Sequence, residues 1–337
     1  MSRALAIDLG TANTLVYVRG RGIRLRQPTV MALDESTGEI LALGDDAYAM
    51  IGRTPSHIVS VRPLRGGAIS DFETTSRMIR MLIQRACRGR VSKPRVIVCV
   101  PSAITQVERK AVREATLHAG ARVAYLIDEP MAAALGAGLP VHEPAGNLIV
   151  DVGGGTTEVA CISLGGVVAS KSLRIAGFDF DAAIAHYLRR EYAITIGERT
   201  AENVKIAIGS AVAMHGEEDK FEVRGRELAT GLPKTVALSA GEVREALEEP
   251  VSQVVQAVLD TLSESPPELA NDAIDKGIFL TGGSGMLRGL AERIAQAAEV
   301  SVHRVDTPLE CVALGAGRVI ESFDELGPLF VDSQADL

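Results

Sequence analysis

The stretch DVGGGTTE, Asp151 to Glu158, constrains this chain more than any other. It stands between two apolar runs, Leu148-Ile149-Val150 and Val159-Ala160-Cys161-Ile162, and so reads as strand, glycine turn, strand. Three consecutive glycines open backbone conformations closed to other residues and let the chain approach a ligand closely. Successive N–H groups in such a turn form an anion-binding concavity. The aspartate at the strand end adds a carboxylate able to hold a metal ion, directly or through water. A phosphate with a divalent metal is the implied ligand. The alternative is a tight hairpin with no ligand, because short glycine-rich matches are common.

The same grammar recurs near the start of the chain. DLGTANT, Asp8 to Thr14, follows Ala4-Leu5-Ala6-Ile7 and precedes Leu15-Val16-Tyr17-Val18. Two such turns, facing one another, can clamp one polyphosphate between them. The length, 337 residues, leaves room for about two domains. Hydrophobic residues make up 47% of the chain while aromatics are 4% and Trp is absent, so the cores are expected to be aliphatic. A net charge of −8 argues against general nucleic-acid binding. Cys87, Cys99, Cys161 and Cys311 form no C-x-x-C pair and no His lies at zinc spacing; buried free thiols are expected, as in a reducing cytoplasm. The N-terminus enters a strand almost at once, so no signal peptide is expected. No apolar run reaches the roughly 18 residues of a membrane span.

Taken in order, residues 4–32 read as strands and turns, with Arg19, Arg21, Arg24 and Arg26 on the solvated face of a hairpin. Residues 33–72 read as a small insertion. Residues 73–88 form a helix, with Met78, Met81, Leu82 and Arg85 at helical spacing. Arg95 to Val100 is a buried parallel strand, 105–118 a helix and Val123 to Asp128 a strand; a helix over 129–138 opens with Glu-Pro. The later chain repeats this: strand at Gly277 to Leu280, turn at Thr281 to Gly285, helix over 286–298, strand at Val302 to Asp306, helix over 310–321. Both final helices contain ALGAG, at Ala134 to Gly138 and Ala313 to Gly317. The pattern reads as a duplication, two α/β domains of one design. The small-faced helices can pack closely as a joint between the halves, or simply pack within each domain. A second insertion spans 180–240. It holds a helix DAAIAHYLRREY, a helix over 200–215 with Thr200 as N-cap, and a hairpin over 221–238; a long helix over 242–263 follows. From about Ser322 the chain is polar and reads as a frayed tail.

Two Asp-Gly hairpins, an Asp-Glu-Pro helix start, a TGG loop and a terminal Gly/Ala-rich helix resemble the actin, sugar-kinase and heat-shock-chaperone ATPase superfamily. The resemblance is closer to MreB, the bacterial actin homologue that organises rod shape, in its MreB or Mbl branch. It is carried by IDLGTANTLVYV, GRTP, VERKAV, DEPMAAALGAGLPV, VDVGGGTTEVA, IGERTAE, VRGRELATGLPKT, PPELA and ALGAGR, and covers about residues 3–321. It implies an actin-like α/β fold: two duplicated domains around a nucleotide cleft, each with a small inserted subdomain. The expected division is 1–140 with 309–337 against 141–308. The implied cofactors are ATP and Mg²⁺. By resemblance, Asp8 and Asp151 hold Mg²⁺ through water. Gly10, Thr11, Ala12 and Asn13, with Gly153, Gly154, Gly155 and Thr156, wrap the β- and γ-phosphates. Glu129 orients or activates the attacking water, Glu202 and Lys205 flank the adenosine, and Gly282, Gly283, Ser284 and Gly285 back the adenosine and α-phosphate.

These roles make chemical sense, because phosphoryl transfer asks a protein mainly to position groups and neutralise charge. No GxxxxGK[ST] string is present, so backbone amides must do that work. Three positions depart from the family pattern: Gly177-Phe178-Asp179 where Gly-Asp is frequent, Ser284 in a usual glycine's place, and Gly67 where aspartate is usual. They bear on turnover and filament kinetics more than on fold. The resemblance further implies head-to-tail self-assembly, a location in the cytoplasm at the inner face of the membrane, and elongation and cell-wall synthesis proteins as partners. The expected lipid contact is the loop 88–94, which offers only Val91 as an apolar residue but carries Arg88, Arg90 and Lys93, flanked by Arg85 and Arg95; that composition implies weak attraction to anionic lipid. The competing functions are a small-molecule kinase of the same fold and a chaperone ATPase.

Overall fold

The computed structural model describes residues 4–87, 93–214 and 220–330. Two five-stranded sheets dominate it. In the first, Ala4–Leu9 lies between Arg95–Val100, to which it is parallel, and Asn13–Val18, to which it is antiparallel. Val123–Asp128 extends the parallel side and Gly22–Pro28 the antiparallel side. The second sheet repeats the plan. Asn147–Val152 runs parallel to Ile278–Thr281 and antiparallel to Thr157–Ser163; Val302–Arg304 and Gly166–Leu173 complete the two sides. The expected duplication is thus visible strand by strand, with Asp8 and Asp151 near the ends of equivalent strands.

Side-chain caps fix two of the helices. Thr105 and Glu108 form a reciprocal capping box ahead of Gln106–His118, and Ser239 and Glu242 another ahead of Ala240–Glu264. Phe72–Cys87 buries Met78, Ile79, Leu82 and Ile83 under the first sheet. Each half carries an additional three-stranded sheet. The first joins Met31–Asp34, Ile40–Leu43 and Ile58–Val61, with the short helix Asp45–Met50 beside it. The second joins Ile194–Thr195, Lys220–Glu227 and Pro233–Ser239, near the helices Gly177–Tyr192 and Glu198–Ile208.

Three local expectations need correction. Thr200 is not an N-cap: the helix begins at Glu198 after Gly197, and it stops at Ile208, where Gly209 turns the chain against the Lys205 carbonyl. After Thr281 the chain makes one 3₁₀ turn, Ser284–Met286, and the helix starts only at Leu290, because Gly289 takes a left-handed φ of 75°. The chain after Ser322 is a helix, Phe323–Phe330, rather than a frayed tail. Phe323 stacks on Tyr125 at 4.9 Å and lies under the Arg95 guanidinium at 4.3 Å. Residues 331–337 lie outside the described part. All four cysteines are buried and outside any disulfide, and among the described residues no helix is long and apolar enough to cross a membrane.

The two ALGAG helices meet. Cys311–Glu321 follows the second sheet yet packs on the first, while Glu129–Ala137 follows the first yet reaches the second. Their contact is backbone on backbone: a Cβ at Gly136 would lie 1.9 Å from the Cys311 carbonyl oxygen, and one at Gly315 1.7 Å from that of Ala132. A shared core closes around them, with Ala6, Ile97 and Ile127 from the first sheet and Ile149, Ala160 and Ile162 from the second.

Gly315→Ala is expected to lower stability by about 3 kcal/mol, since only backbone movement relieves the overlap. Gly241→Ala, where the added methyl meets nothing nearer than the Arg244 side chain at 3.9 Å, should change it by less than about 1 kcal/mol. Denaturant unfolding of both variants checks this; equal stability of the two would remove the joint's special status.

Candidate functional site

The two glycine turns face each other across a cavity of about 550 Å³. Each turn is tied back from behind. The Thr29 hydroxyl donates to the Gly10 carbonyl at 2.6 Å and the Thr29 N–H to that of Ala12 at 2.8 Å. In the second turn the Gly177 and Phe178 N–H groups donate to the Gly153 and Gly154 carbonyls at 3.2 and 2.8 Å. With the carbonyls engaged, the N–H groups of Thr11, Ala12 and Gly154 donate to no acceptor among the described residues, and all three residues line the cavity. This is the condition for a backbone anion site. The turns also touch: a Cβ at Gly154 would fall 2.3 Å from that of Ala12, and one at Gly155 2.7 Å from the Thr11 hydroxyl.

All the predicted site residues line this cavity except Gly155 and Gly285. Gly155 is spent on packing against Thr11, and Gly285 sits against the Leu280 side chain. Gly282 adopts φ +85°, and a side chain there would strike Asp151 Oδ1 at 2.3 Å, so the loop after Ile278–Thr281 can lie against the acid only as glycine.

Acidic groups converge at the floor. Asp8 opens partly onto the cavity yet is surrounded by protein, and burial raises its pKa to about 7. Burial, then Asp8 and Glu158, raise Asp151 likewise to about 7. Glu129 is the first residue of its helix, held there by the ion pair of Arg109 with the preceding Asp128. Burial, followed by Glu158, Asp8 and Asp151, pushes its pKa well above the ordinary range. Neither Asp8 nor Asp151 has a cationic side-chain partner among the described residues, and no three His, Cys, Asp or Glu there converge as an all-protein metal site. Two unpaired buried carboxylates fit a Mg²⁺ ion, which keeps several waters and takes its other ligands from phosphate oxygens.

The opposite wall has a different character. Lys205 is fixed by an ion pair to Asp181 Oδ1 at 2.8 Å and donates to the Gly177 carbonyl at 2.9 Å. Glu202 accepts from the Tyr48 hydroxyl. Ile206, Met286 and Leu309 line the cavity while remaining 70%, 50% and 40% exposed, an apolar wall suited to a flat ring. Sequence reasoning missed Asp181 and these apolar residues. The Asp181–Lys205 pair joins two helices and has no local spacing signal, whereas an apolar residue on the exposed face of a predicted helix, such as Ile206, is a signal that could have been read.

The three positions singled out in the sequence, Gly67, Ser284 and Phe178, each make close local contacts. Gly67 has φ +73°, its N–H donates to the Thr11 hydroxyl at 3.2 Å, and a Cβ there would fall 2.3 Å from Pro101; no side chain fits. The Ser284 hydroxyl fills the space that a Cβ at Gly177 would need, at 2.4 Å. Phe178 lies under the Arg62 guanidinium at 4.6 Å. Of the expected lipid-facing cations, Arg88 and Arg90 lie outside the described residues, as does Val91. Arg95 covers Phe323 and is turned into the protein, while Arg85 donates to Gln27 at 3.0 Å and stays exposed.

The family model for MreB/Mbl protein matches residues 2–328. The chain is 49% identical over 333 residues to the cell shape-determining protein MreB of Escherichia coli (strain K12), covering 97% of this chain and 95% of that one. It is 45% identical over 326 residues to the cell shape-determining protein Mbl of Bacillus subtilis (strain 168), covering 96% and 98%. The crystal structure of MreB5 of Spiroplasma citri bound to ADP superposes with a TM-score of 0.92 at 35% identity, covering 97% of this chain and 99% of that one. The fold is the actin-like α/β fold that the motifs led one to expect.

A pH dependence follows from the buried acids. Asp151, with its pKa raised from 3.8 to about 7, favours the fold in its protonated form; that stability is complete below about pH 4 and is lost as pH rises through 7. Without metal or nucleotide, Asp151→Asn is expected to melt several degrees above the parent near pH 8, with the gap closing toward pH 5. A variant that melts no higher near pH 8 would contradict this.

Proposed function

Because the chain belongs to the MreB/Mbl protein family, we propose that it is an actin-like cytoskeletal ATPase that assembles head-to-tail into filaments and directs cell shape through cell-wall synthesis. The observation that carries the ATPase reading is the pair of opposed glycine turns with open N–H groups above unpaired buried acids. The division into halves, 1–140 with 309–337 against 141–308, belongs to the same reading. A head-to-tail contact joins two different surfaces of the subunit and so generates an open polymer. The alternative of a small-molecule kinase is disfavoured by a family match that runs through nearly the whole chain.

In this reading the turns at Gly10 to Asn13 and Gly153 to Thr156 hold the β- and γ-phosphates through backbone N–H groups. Asp8 and Asp151 hold Mg²⁺, which neutralises charge on the transferring phosphoryl group when bound. Glu129 orients water at the γ-phosphate and accepts its proton; a carboxylate whose pKa is raised by burial is a better base near neutral pH. Ile206, Met286 and Leu309 meet the nucleobase, while Glu202 and Lys205 shape the ribose side and Gly282, Gly283 and Ser284 close the α-phosphate end. ATP bound in this way lies at the seam of the two halves, so its hydrolysis changes the contacts between them. Attachment to the inner face of the membrane is weak in the same reading, resting on the loop around exposed Lys93 and amplified when many subunits align.

Sedimentation with Mg-ATP tests assembly: pelleting should begin above a threshold concentration, and co-sedimentation with anionic vesicles should fall as salt rises. Protein that stays in solution at every concentration, or that consumes ATP only with a small-molecule acceptor, would favour the kinase. Glu129→Ala should retain ATP while hydrolysing it slower by on the order of 10²-fold or more, and Asp151→Ala should lose Mg²⁺-dependent nucleotide binding. Unchanged turnover in the first, or tight Mg-ATP binding in the second, would remove that residue from its assigned role.

A further inference from the structure

The small insertion of the first half reaches across the mouth of the cavity. Its helix Asp45–Met50 is anchored by Ala47, which joins Val30 and Ala32 in a core of its own. Tyr48 is thereby presented to the helix Glu198–Ile208 of the other half, where its hydroxyl donates to Glu202 Oε2. The Arg199 guanidinium lies over the Tyr48 ring at 4.9 Å. From the same insertion, Arg62 donates to Glu198 Oε1 and covers the Phe178 ring. Glu202 and Phe178 both line the cavity, so each arm of this contact ends on a residue of the cavity wall.

We propose that Tyr48 and Arg62 are positioning residues that strap the cavity shut and set how fast a nucleoside di- or triphosphate escapes. The proposal rests on the nucleotide reading of the cavity. Among the described residues, the two packed helices and the shared core stand behind the cavity, away from the mouth. The strap crosses that mouth by four contacts that combine charge with ring faces: a hydroxyl on a carboxylate, an ion pair, and two guanidinium groups on aromatic rings. The Arg62 side chain is 19% exposed and that of Glu198 39%, so solvent screens this ion pair in part. Burial, followed by the Glu202 hydrogen bond, raises the Tyr48 pKa to about 12, which keeps the hydroxyl protonated and donating throughout the physiological range. Tyr48 also sets which way the Glu202 carboxylate faces, so it acts on the bound nucleoside through Glu202 rather than by touching it.

The test is release of a fluorescently labelled ADP and ATP analogue from the full chain with Mg²⁺, followed by stopped flow. Arg62→Glu and Glu198→Arg should each speed release roughly tenfold, and the double variant Arg62→Glu/Glu198→Arg should recover most of the parent rate. Tyr48→Phe, which keeps the ring under Arg199 and removes only the hydroxyl, should speed release by roughly threefold while leaving the melting temperature in place. Unchanged release in the single variants, or a double variant no slower than either single, overturns the strap while nucleotide binding stands. Failure of the parent protein to bind either analogue overturns the nucleotide reading, and the strap with it.

Discussion

The architecture depends on one contact, the meeting of the two ALGAG helices at Gly136 and Gly315. Side chains normally hold helices about 8–10 Å apart; here peptide backbones take their place, with no room for a single methyl group. So close an approach brings both sheets into one shared core and sets the spacing of everything above it. The glycine turns can touch at Gly154 and Ala12 only because the strands that carry them are held at that separation.

That rigidity makes the chemistry of the floor tolerable. Asp8, Asp151, Glu129 and Glu158 crowd together in surroundings poor in water. Left to themselves, such groups would push the halves apart. Glu158 partly offsets this by accepting hydrogen bonds from the Ser102 hydroxyl and N–H of the first half and from Ser172 of its own. In the nucleotide reading proposed above, a divalent cation held by Asp8 and Asp151 would relieve this crowding of acids.

Much of this was legible from residues in sequence. Asp8, Asp151 and the turns after them announced themselves through local grammar, an apolar strand ending in an acid and glycine, and the repetition of ALGAG pointed to the joint. What could not be read was non-local. The Asp181–Lys205 pair, the reach of Tyr48 to Glu202 and the latch of Glu158 on Ser102 all join elements far apart in the chain. The helix after Ser322 was hidden by its acidic residues, because Phe323 acquires an apolar partner only once Tyr125 and Arg95 are placed beside it. Thr200 misled for a simpler reason: a good capping residue caps only if the helix begins there, and Gly197 had already begun it.

The exchange of helices between the sheets also bears on how the chain is born. Ala4, Ala6, Ile97 and Cys99 emerge early from the ribosome, but part of their cover is Val312, Ala316 and Val319, made close to the end. At a synthesis rate of about 5–20 residues per second, that apolar face stays bare for roughly ten to forty seconds. The nascent polypeptide therefore carries a sticky, unfinished surface until the helix Cys311–Glu321 arrives to cover it.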